Sequence, residues 1–358
     1  MQYLSRAFAG VETKIMSRAK PIRIGKNLNR VINPQLKRIG ILTLGLLSLT
    51  VVMAGQAQAA SPTYSKYDWG EPEFKAKPRH SIQFPREKAL GGLAISDKPI
   101  FQHGEAKTKN LLAQGQIDIP AGKFVIFFPN HVFFHNPQLI ESLKPDSIDS
   151  VVLRYATMDD GEEGYSVKAM PSLAKLTDIK VMDLEKSEMN DAGLSALKPL
   201  KGLQALLLFA NEFDGSFLKE LTGLNKLKVL ILNNNDVKVE NLPYLSRYKS
   251  IKVLGLSYTH LTAASAGFLA DMPQLETLLL AGNYQLDDKV IPILAKLKNL
   301  HFLDIRKTGI TMSGFKRLKV LLPNTQVHSY LDNTNPNAQK KDSEVETIFA
   351  PLSRGRKL

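Results

Sequence analysis

The middle of the chain repeats one pattern of apolar and polar residues every 24 positions. If Leu227 is taken as step 1, apolar residues follow at steps 4, 6 and 11, and an asparagine, Asn235, stands at step 9. The residues at step 1 of successive units are Ile179, Leu203, Leu227, Ile251, Leu275 and, after a slip of one residue, Leu300. This period predicts a stack of similar units, each of which buries its apolar residues against its neighbours.

Steps 3 to 7 of each unit are expected to form a short strand, after which the chain turns inward at step 9. The turn would bury backbone N–H and C=O groups without partners, at about 1–3 kcal/mol for each group. A side-chain amide can both donate and accept hydrogen bonds, so it can satisfy them. We therefore expect Asn235 to be buried, and Asn233 and Asn234 to lie at the surface. The expected turn residues are Asn130, Ser187, Asn211, Asn235, Thr259, Asn283 and Thr308.

The second half of each unit has apolar residues three positions apart, as at Leu218, Leu221 and Leu224, which predicts a short α or 3₁₀ helix. The combined pattern L-x-x-L-x-L-x-x-N-x-L resembles the leucine-rich repeat family. The resemblance implies an α/β fold, a horseshoe-shaped solenoid with parallel strands on its concave face and short α or 3₁₀ helices on its convex face. We expect this solenoid over residues 116–331, with an insertion at 158–166.

Residues 1–59 have the features of a secretory signal peptide. They hold nine Lys or Arg residues and one acidic residue, Glu12, and then an apolar run, Gly40–Gly55. The run is shorter than the roughly 20 residues that span a bilayer. Small residues at Ala57 and Ala59 predict cleavage after Ala59. We therefore expect export through the secretory pathway, to the periplasm or out of the cell, with no stable membrane anchor after cleavage.

Other interpretations of this segment stay open. It could be an uncleaved membrane anchor or a mitochondrial presequence, and Met16 could be the true start. The segment also carries +8 of the formal net charge of +13, so the rest of the chain, with 38 basic and 33 acidic residues, is nearly balanced. Because a nucleic-acid partner requires a concentrated basic face, none is expected. The sequence holds no Asn-x-Ser/Thr glycosylation site, which favours a bacterial secretory product.

The two segments beside the solenoid are expected to be less ordered. Residues 60–115 are rich in proline and charge and predict a loosely ordered flank. Within and after it, residues 89–95 (ALGGLAI) and 116–128 (QIDIPAGKFVIFF) are possible strands that close the open end of the solenoid. Residues 332–358 predict a disordered tail.

No part of the sequence predicts catalysis. The chain has no cysteine, so it has neither disulfides nor a thiolate nucleophile. His131 and His135 are four residues apart and could bind zinc, but His131 is expected in a turn and no glutamate follows it. Residues 159–164 (DDGEEG) could bind calcium, but they lack the ligand spacing of an EF-hand, and a solvated acidic loop is favoured. We expect no metal, no cofactor and no enzymatic activity.

The outward-pointing positions of the strands suggest a binding surface. In this architecture steps 3, 5, 7 and 8 face away from the core, and here they are apolar in the centre and charged at both ends. An apolar centre with a polar rim is typical of protein interfaces. The residues expected to be exposed and to contact a partner are Leu207, Phe209, Ile231, Asn233, Tyr258, Leu279, Asp183, Glu185 and Arg306. Alternatively, the flank or the tail could fold back over this face.

Together these features predict an exported leucine-rich repeat protein that binds or scaffolds another protein through its concave face. The alternative function is an accessory or inhibitor that positions or blocks a partner enzyme. The identity of the protein partner does not follow from the resemblance, because one fold carries many functions.

Overall fold

The computed structural model describes residues 77–97, 108–153 and 164–332. The chain divides into two compact units, Met1–Tyr64 and Ser65–Leu358, and every described residue belongs to the second unit. The expected signal peptide, the acidic part of the insertion and the tail beyond Asp332 lie outside the described residues.

Most strands are short, as the pattern at steps 3 to 7 requires. Their bounds are β1 His80–Gln83, β2 Gly91–Ser96, β3 Thr108–Leu112, β4 Gln116–Ile119, β5 Phe124–Pro129, β6 Ser150–Val152, β7 Val181–Asp183, β8 Ala205–Leu207, β9 Val229–Ile231, β10 Val253–Gly255, β11 Thr277–Leu279, β12 Phe302–Asp304 and β13 Gln326–His328. Strands β5 to β13 form one continuous parallel sheet in chain order, to which β2 and β3 add antiparallel at the β5 edge. β1 and β4 form a separate antiparallel pair.

The pairing register of the sheet follows the sequence pattern. Leu206 pairs with Leu230, which pairs with Leu254 and then with Leu278, each partner being 24 residues further along. Between β11 and β12 the offset is 25 residues, since Leu278 pairs with Leu303. The one-residue slip in the sequence is therefore taken up in the connection between these two strands, and the ladder continues without interruption.

Short helices connect the strands. The α-helices are α1 His131–His135, α2 Tyr165–Leu173, α3 Asp191–Ser195, α4 Ile291–Leu294 and α5 Met312–Leu321, and the 3₁₀ helices are Pro137–Ser142, Ser216–Lys219, Val239–Arg247, Ser265–Asp271 and Asp288–Val290. Side-chain caps fix where three of the α-helices start: Asn130 accepts a hydrogen bond from the backbone nitrogen of Val132, Asn190 from that of Gly193, and Thr311 from that of Gly314.

The core lies between the sheet and the helices. Leu206, Leu230 and Leu254, at step 4, are at most 1% exposed, and so are Leu218 and Leu221 on the helical side. Each unit thus contributes leucines from both of its halves to one apolar interior. The predicted arrangement of parallel strands backed by short α and 3₁₀ helices is confirmed.

The flank is better ordered than expected from Lys77 onward. Strand β2 pairs with β5 along its whole length, and Ile82, Phe84 and Leu90 are at most 2% exposed. Residues 77–97 and 108–115 are ordered rather than loose, and strands β2, β4 and β5 overlap the possible capping strands at 89–95 and 116–128. The physical reason is that the first parallel strand would otherwise leave one edge of backbone groups unpaired and its apolar side chains open to water. The flank provides the cap.

A buried ion pair fastens this cap to the first repeat. The Lys77 Nζ atom lies 2.7 Å from Asp149 Oδ1, and the other carboxylate oxygen of Asp149 accepts a hydrogen bond from the backbone nitrogen of Val125. Asp149 is 2% exposed. The backbone carbonyl of Lys77 also accepts a hydrogen bond from Gly122. Lys77, the first described residue, therefore lies at the edge of the sheet where β5 and β6 begin.

Step 8 of the repeat adopts a left-handed backbone in six successive units, which the sequence pattern did not indicate. The residues at this step are Lys186, Ala210, Asn234, Tyr258, Gly282 and Lys307, with φ between 51° and 74°. Only one of the six is glycine. The inward turn needs this conformation, so the fold accepts an unfavourable backbone in the five units without glycine, at about 1–3 kcal/mol per residue.

Candidate functional site

Asn235 shows how the turn residues link successive repeats. Its side-chain Nδ2 donates hydrogen bonds to the carbonyl oxygens of Leu208 (2.7 Å) and Leu232 (2.9 Å), in the previous and the same repeat. Its Oδ1 accepts from the backbone nitrogen of Asn211 at 2.7 Å. One buried amide thus pairs three backbone groups that the strands leave free.

Smaller hydroxyl residues replace asparagine at step 9 in three of the units, at Ser187, Thr259 and Thr308. Asn283 Oδ1 accepts from the backbone nitrogens of Thr259 and Leu261, and its Nδ2 donates to the carbonyl of Leu256. The Thr259 hydroxyl donates to the same carbonyl of Leu256 at 2.8 Å. Ser187 and Thr308 donate in the same way to the carbonyl three residues earlier. Ser187 and Thr259 suffice at step 9 because the asparagine of the next unit, Asn211 or Asn283, accepts a hydrogen bond from their backbone nitrogen.

Asn130 serves a different purpose from the other turn residues. Its Oδ1 caps α1 by accepting from the backbone nitrogens of Val132 and Phe133, and its Nδ2 donates to the carbonyl of Ala89 in the flank. His131 is the first residue of α1 rather than part of a turn, so the expectation for that histidine is wrong. Asn130 therefore ties the cap to the first repeat.

The side of the parallel sheet that faces away from the core, the outer sheet face, carries its own apolar cluster. We call it the outer cluster, and its members are Val181, Ala205, Leu207, Val229, Ile231 and Val253, with Leu279 packed against it. Its side chains come from steps 3 and 5 of adjacent units. Because paired residues in neighbouring strands lie about 4.8 Å apart, they form two rows across the sheet, of which the step-5 row is interrupted at Gly255.

The expectation that the centre of this face is exposed is wrong. Leu207, Phe209, Ile231 and Asn233 are between 1% and 5% exposed, and at the two ends of the face Asp183 and Arg306 are 6% exposed. Only Glu185, Tyr258 and Leu279 of the expected contact residues are half-buried. The alternation of residues along a strand predicts which side chains point away from the core. It does not predict whether those side chains are exposed to water or packed against other residues.

Asn233 belongs to the framework of this face and is not a surface residue. Its Oδ1 accepts a hydrogen bond from the backbone nitrogen of Ser257 at 2.8 Å. The side chain passes over Gly255, where a Cβ atom would lie 2.7 Å from that oxygen and 3.0 Å from Ile231 Cδ1. Gly255 has no side chain to continue the apolar row at step 5. The side chains of Asn233 and Ile231 fill the space that it leaves.

Aromatic side chains extend the outer cluster toward the turns. The Lys186 Nζ atom lies 5.8 Å from the centre of the Phe209 ring, which is a cation–π contact. The ring of Tyr258 lies against Gly282, where a Cβ would come within 2.3 Å of two ring carbons. Tyr258 can therefore hold this place only because the next repeat has glycine at step 8.

At the far end of the outer sheet face, an ion pair is buried. Arg306 Nε and Nη2 donate to the two oxygens of Asp304 at 3.0 and 2.7 Å, and both side chains are 7% exposed. The expectation that Arg306 is a free rim charge is corrected by this pairing. This end of the outer sheet face therefore consists of two buried side chains of opposite charge.

Groups with shifted pKa values lie on the helical side of the solenoid. The Lys238 ammonium and the backbone N–H of Ser216 lower the pKa of Asp214 to about 2. Hydrogen bonds from Lys175 and Ser172 lower the pKa of Glu141. Burial raises the pKa of the Tyr248 phenol, whose hydroxyl donates to the carbonyl of Leu218 at 2.6 Å. These groups hold neighbouring repeats together.

The candidate zinc pair makes other contacts. His135 Nδ1 lies 2.7 Å from the backbone oxygen of His131, and its Nε2 lies 3.2 Å from the Tyr165 hydroxyl. In residues 77–97, 108–153 and 164–332, no group of three or more potential ligands is placed to hold a metal ion. Within the same ranges, none of the helices has both the length and the apolar character to span a membrane.

Comparison with known proteins gives a likeness at the level of solved structures. Neither protein-family models nor curated sequences match the chain. An internalin of Listeria monocytogenes is 19% identical with a TM-score of 0.43, over 55% of this chain and 51% of the internalin. Internalin C2 of the same species is 19% identical with a TM-score of 0.40, over 56% and 94%. A leucine-rich repeat protein of Leptospira interrogans is 19% identical with a TM-score of 0.33, over 50% and 46%. This chain thus spans about half the length of the first and third.

The fold follows from the chain's own geometry. Nine parallel strands stack in chain order in the described part of the chain, their partners lie one repeat apart, and half-buried Asn211 with buried Asn235 and Asn283 connects successive turns. The chain folds as a leucine-rich repeat solenoid.

Proposed function

We propose that this chain is an exported module that binds another protein through the outer sheet face of its solenoid. Leucine-rich repeat solenoids serve in general as protein-interaction modules, and the proposal adds the face, the compartment and the character of the contact. Export rests on the pattern of residues 1–59, with its basic start, its apolar run and its small residues before Ala60.

The observation that carries the proposal is the outer cluster. The solenoid already has a core of leucines from steps 4 and 6, so Leu207, Val229 and Ile231 form a second apolar layer on the opposite face of the sheet. On a face that met only water, polar residues at these steps would keep the fold and improve solubility. Apolar residues in a continuous patch are found where another surface covers them.

The test begins with affinity capture from an extract of the organism's cell envelope, and the captured protein is then purified. Its dissociation constant is measured with the unaltered chain and with Leu279→Asp. Leu279 lies half-buried at the border of the outer cluster, so a carboxylate there can still reach water in the free protein. We expect affinity to fall at least about tenfold, which corresponds to roughly 1.4 kcal/mol.

The matched control is Val320→Asp, which places the same charge on α5, where the side chain is 78% exposed. It should leave the affinity unchanged, and circular dichroism should show both variants folded. Equal binding by both would contradict the proposed face. If the captured protein is an enzyme, its activity with and without this chain decides between a scaffold and an inhibitor.

A further inference from the structure

The edge of the solenoid at which the strands begin, the start edge, carries a row of lysines. Lys201, Lys226 and Lys249 stand one or two residues before step 1 of three successive units, and all three are exposed. Because each unit adds one strand to the sheet, these residues follow one another at close to the strand spacing of about 4.8 Å. We call the three lysines the basic row.

The acidic residues of the start edge do not balance the basic row. Asp178 and Glu276, which stand next to step 1 at the two ends of this edge, form ion pairs with Lys180 and Lys252. In residues 77–97, 108–153 and 164–332, no carboxylate lies within ion-pair distance of a lysine of the basic row. The centre of the start edge therefore carries an uncompensated positive charge.

Lysines on the helical side of the solenoid are arranged differently. Lys238 Nζ lies 2.9 Å from Asp214 Oδ2, whereas Lys249 Nζ of the basic row donates only to a backbone oxygen, that of Asp271, at 3.1 Å. Ammonium groups that follow one another along one edge repel each other. An anionic surface laid along the start edge would relieve this repulsion.

The opposite edge of the sheet, the turn edge, carries an acidic row. Its members occupy step 10 in three successive units, are exposed or half-buried, and are Glu188, Glu212 and Asp236. Among the described residues, no lysine or arginine lies within ion-pair distance of these carboxylates. The lysines beside them face elsewhere, since Lys186 lies over the ring of Phe209 and Lys238 pairs with Asp214.

The basic row and the acidic row match each other because both are built on the same repeat. Each row has three charges in three successive units, so the same strand spacing separates the charges in both rows. If the turn edge of a second copy lies along the start edge of the first, three carboxylates can face three ammonium groups. A partner with another architecture would have this spacing only by separate adaptation.

We propose that the chain associates with a second copy of itself, with the acidic row of one copy against the basic row of the next. The rows lie on opposite edges, so the contact is heterologous and each copy keeps one row for a further copy. Such a contact builds a ring or an open line of solenoids rather than a two-fold dimer. The outer sheet face takes no part in it, so the inference does not rest on the proposed function.

Salt dependence gives the first test. Exposed ion pairs contribute at most about 1 kcal/mol each, so we expect weak association that increases with protein concentration. The screening length falls from about 30 Å at 0.01 M salt to about 3 Å at 1 M. Sedimentation velocity of the purified protein should show an average mass above that of one chain at the lower salt concentration, and single chains at the higher one. Single chains at both concentrations, or association that does not weaken with salt, would overturn the proposal.

Charge reversal tests the two rows separately. One variant replaces the basic row by glutamate (Lys201→Glu, Lys226→Glu and Lys249→Glu), and a second replaces the acidic row by lysine (Glu188→Lys, Glu212→Lys and Asp236→Lys). In either variant both edges carry charges of the same sign, so each variant alone should sediment as single chains at low salt. If either variant associates as the unaltered chain does, its row is not part of the contact and the proposal fails.

The matched control makes three reversals on the helical side, at exposed Lys219, Lys316 and Arg317. It has the same net charge as the variant of the basic row, and it should associate as the unaltered chain does. Loss of association in this control as well would mean that net charge, rather than the position of the basic row, governs association, and would overturn the proposal.

A mixture of the two row variants shows whether the rows pair with each other. The lysines introduced at the turn edge of one variant then match the glutamates introduced at the start edge of the other, and the two unaltered rows match as well. Association should therefore return at low salt. A mixture that stays as single chains, while circular dichroism shows both variants folded, would overturn the proposal.

Leu279→Asp separates this inference from the proposed function. It changes the outer sheet face, so self-association should stay as in the unaltered chain even where capture of another protein is lost. Loss of self-association in Leu279→Asp would assign the contact between copies to the outer sheet face and overturn the pairing of the rows. Failure of the row variants to alter self-association leaves the proposed function intact, because neither row lies on that face.

Discussion

Asn233 Oδ1 accepts a hydrogen bond from the backbone nitrogen of Ser257, 2.8 Å away and 24 residues further along the chain. Both residues stand at step 7 of their units, on the outer sheet face. The outer sheet face is therefore stabilised by side-chain contacts between repeats, as the turns on the core side are. It is a packed surface with its own polar and apolar requirements.

Gly255 tests how tightly this surface is packed. Gly255→Ala adds a Cβ that would lie 2.7 Å from Asn233 Oδ1 and 3.0 Å from Ile231 Cδ1, so neighbouring side chains must move. We expect the free energy of unfolding to fall by about 1–3 kcal/mol. The control is Gly267→Ala, where nothing lies within 4 Å, and it should be neutral or stabilising by up to about 1 kcal/mol. Urea titration measures both, and similar losses would contradict the packing of this face.

Asn235 tests the ladder of turn residues. Asn235→Ala removes the acceptor of the half-buried Asn211 N–H and the donor to the buried carbonyls of Leu208 and Leu232. The free energy of unfolding should fall by about 1–3 kcal/mol. Asn234, beside it, is exposed with φ +58°, so Asn234→Gly is the suitable control and should change stability by less than about 0.5 kcal/mol. If both variants lost the same free energy of unfolding in a denaturant titration, the assignment of the buried turn residue to step 9 would be wrong.

Tyr248 makes the stability depend on pH in the alkaline range. Burial raises the pKa of its phenol above the usual 10.0, so above about pH 10 the unfolded chain releases a proton that the folded chain keeps. The stabilisation is complete below pH 10 and is lost as the pH rises beyond it. Tyr248→Phe should flatten this loss and, because Leu218 loses its donor, lower stability near pH 7 by about 1 kcal/mol.

Tyr284→Phe is the control at neutral pH, because that ring is 68% exposed and its hydroxyl should contribute little. Thermal melting from pH 7 to pH 11 measures both variants. An alkaline loss as steep in Tyr248→Phe as in the unaltered chain would contradict the role of burial.

The Asp304–Arg306 pair is expected to behave as a buried ion pair. Arg306→Leu leaves the Asp304 carboxylate in a site that is 7% exposed, and stability should fall by about 3–5 kcal/mol. The double variant Asp304→Leu, Arg306→Leu should recover most of that loss. On the surface, Lys289→Leu breaks a pair with Asp287 whose side chains are 86% and 47% exposed, at a cost under about 1 kcal/mol. A small loss from Arg306→Leu would mean that water reaches this end of the face.

Export is tested at the amino terminus. Because small residues at Ala57 and Ala59 follow a short apolar run, we expect the exported protein to begin at Ala60. N-terminal sequencing of the periplasmic or secreted protein gives the answer. Recovery of the chain from the membrane fraction with Gly40–Gly55 intact would show an anchor instead.

The sequence by itself determined the architecture of the solenoid. Leu206, Leu230, Leu254 and Leu278 pair as their spacing predicts, because a period that alternates inward and outward residues leaves the strands only one register that buries the leucines. Asn235 could be placed in a buried turn because few side chains can both donate and accept there. These constraints act within a single repeat, and they recur in the sequence of each further repeat.

Only the tertiary structure decided what happens outside that period. Asn233, expected at the surface, is buried because its partner, Ser257, belongs to another repeat, and Arg306 is neutralised by Asp304. The order of the flank depends on the unpaired edge of β5. The left-handed backbone at Lys186 or Tyr258 follows from the turn and not from the residue type. A repeat pattern specifies which side chains point away from the core. Residues elsewhere in the chain decide what those side chains contact.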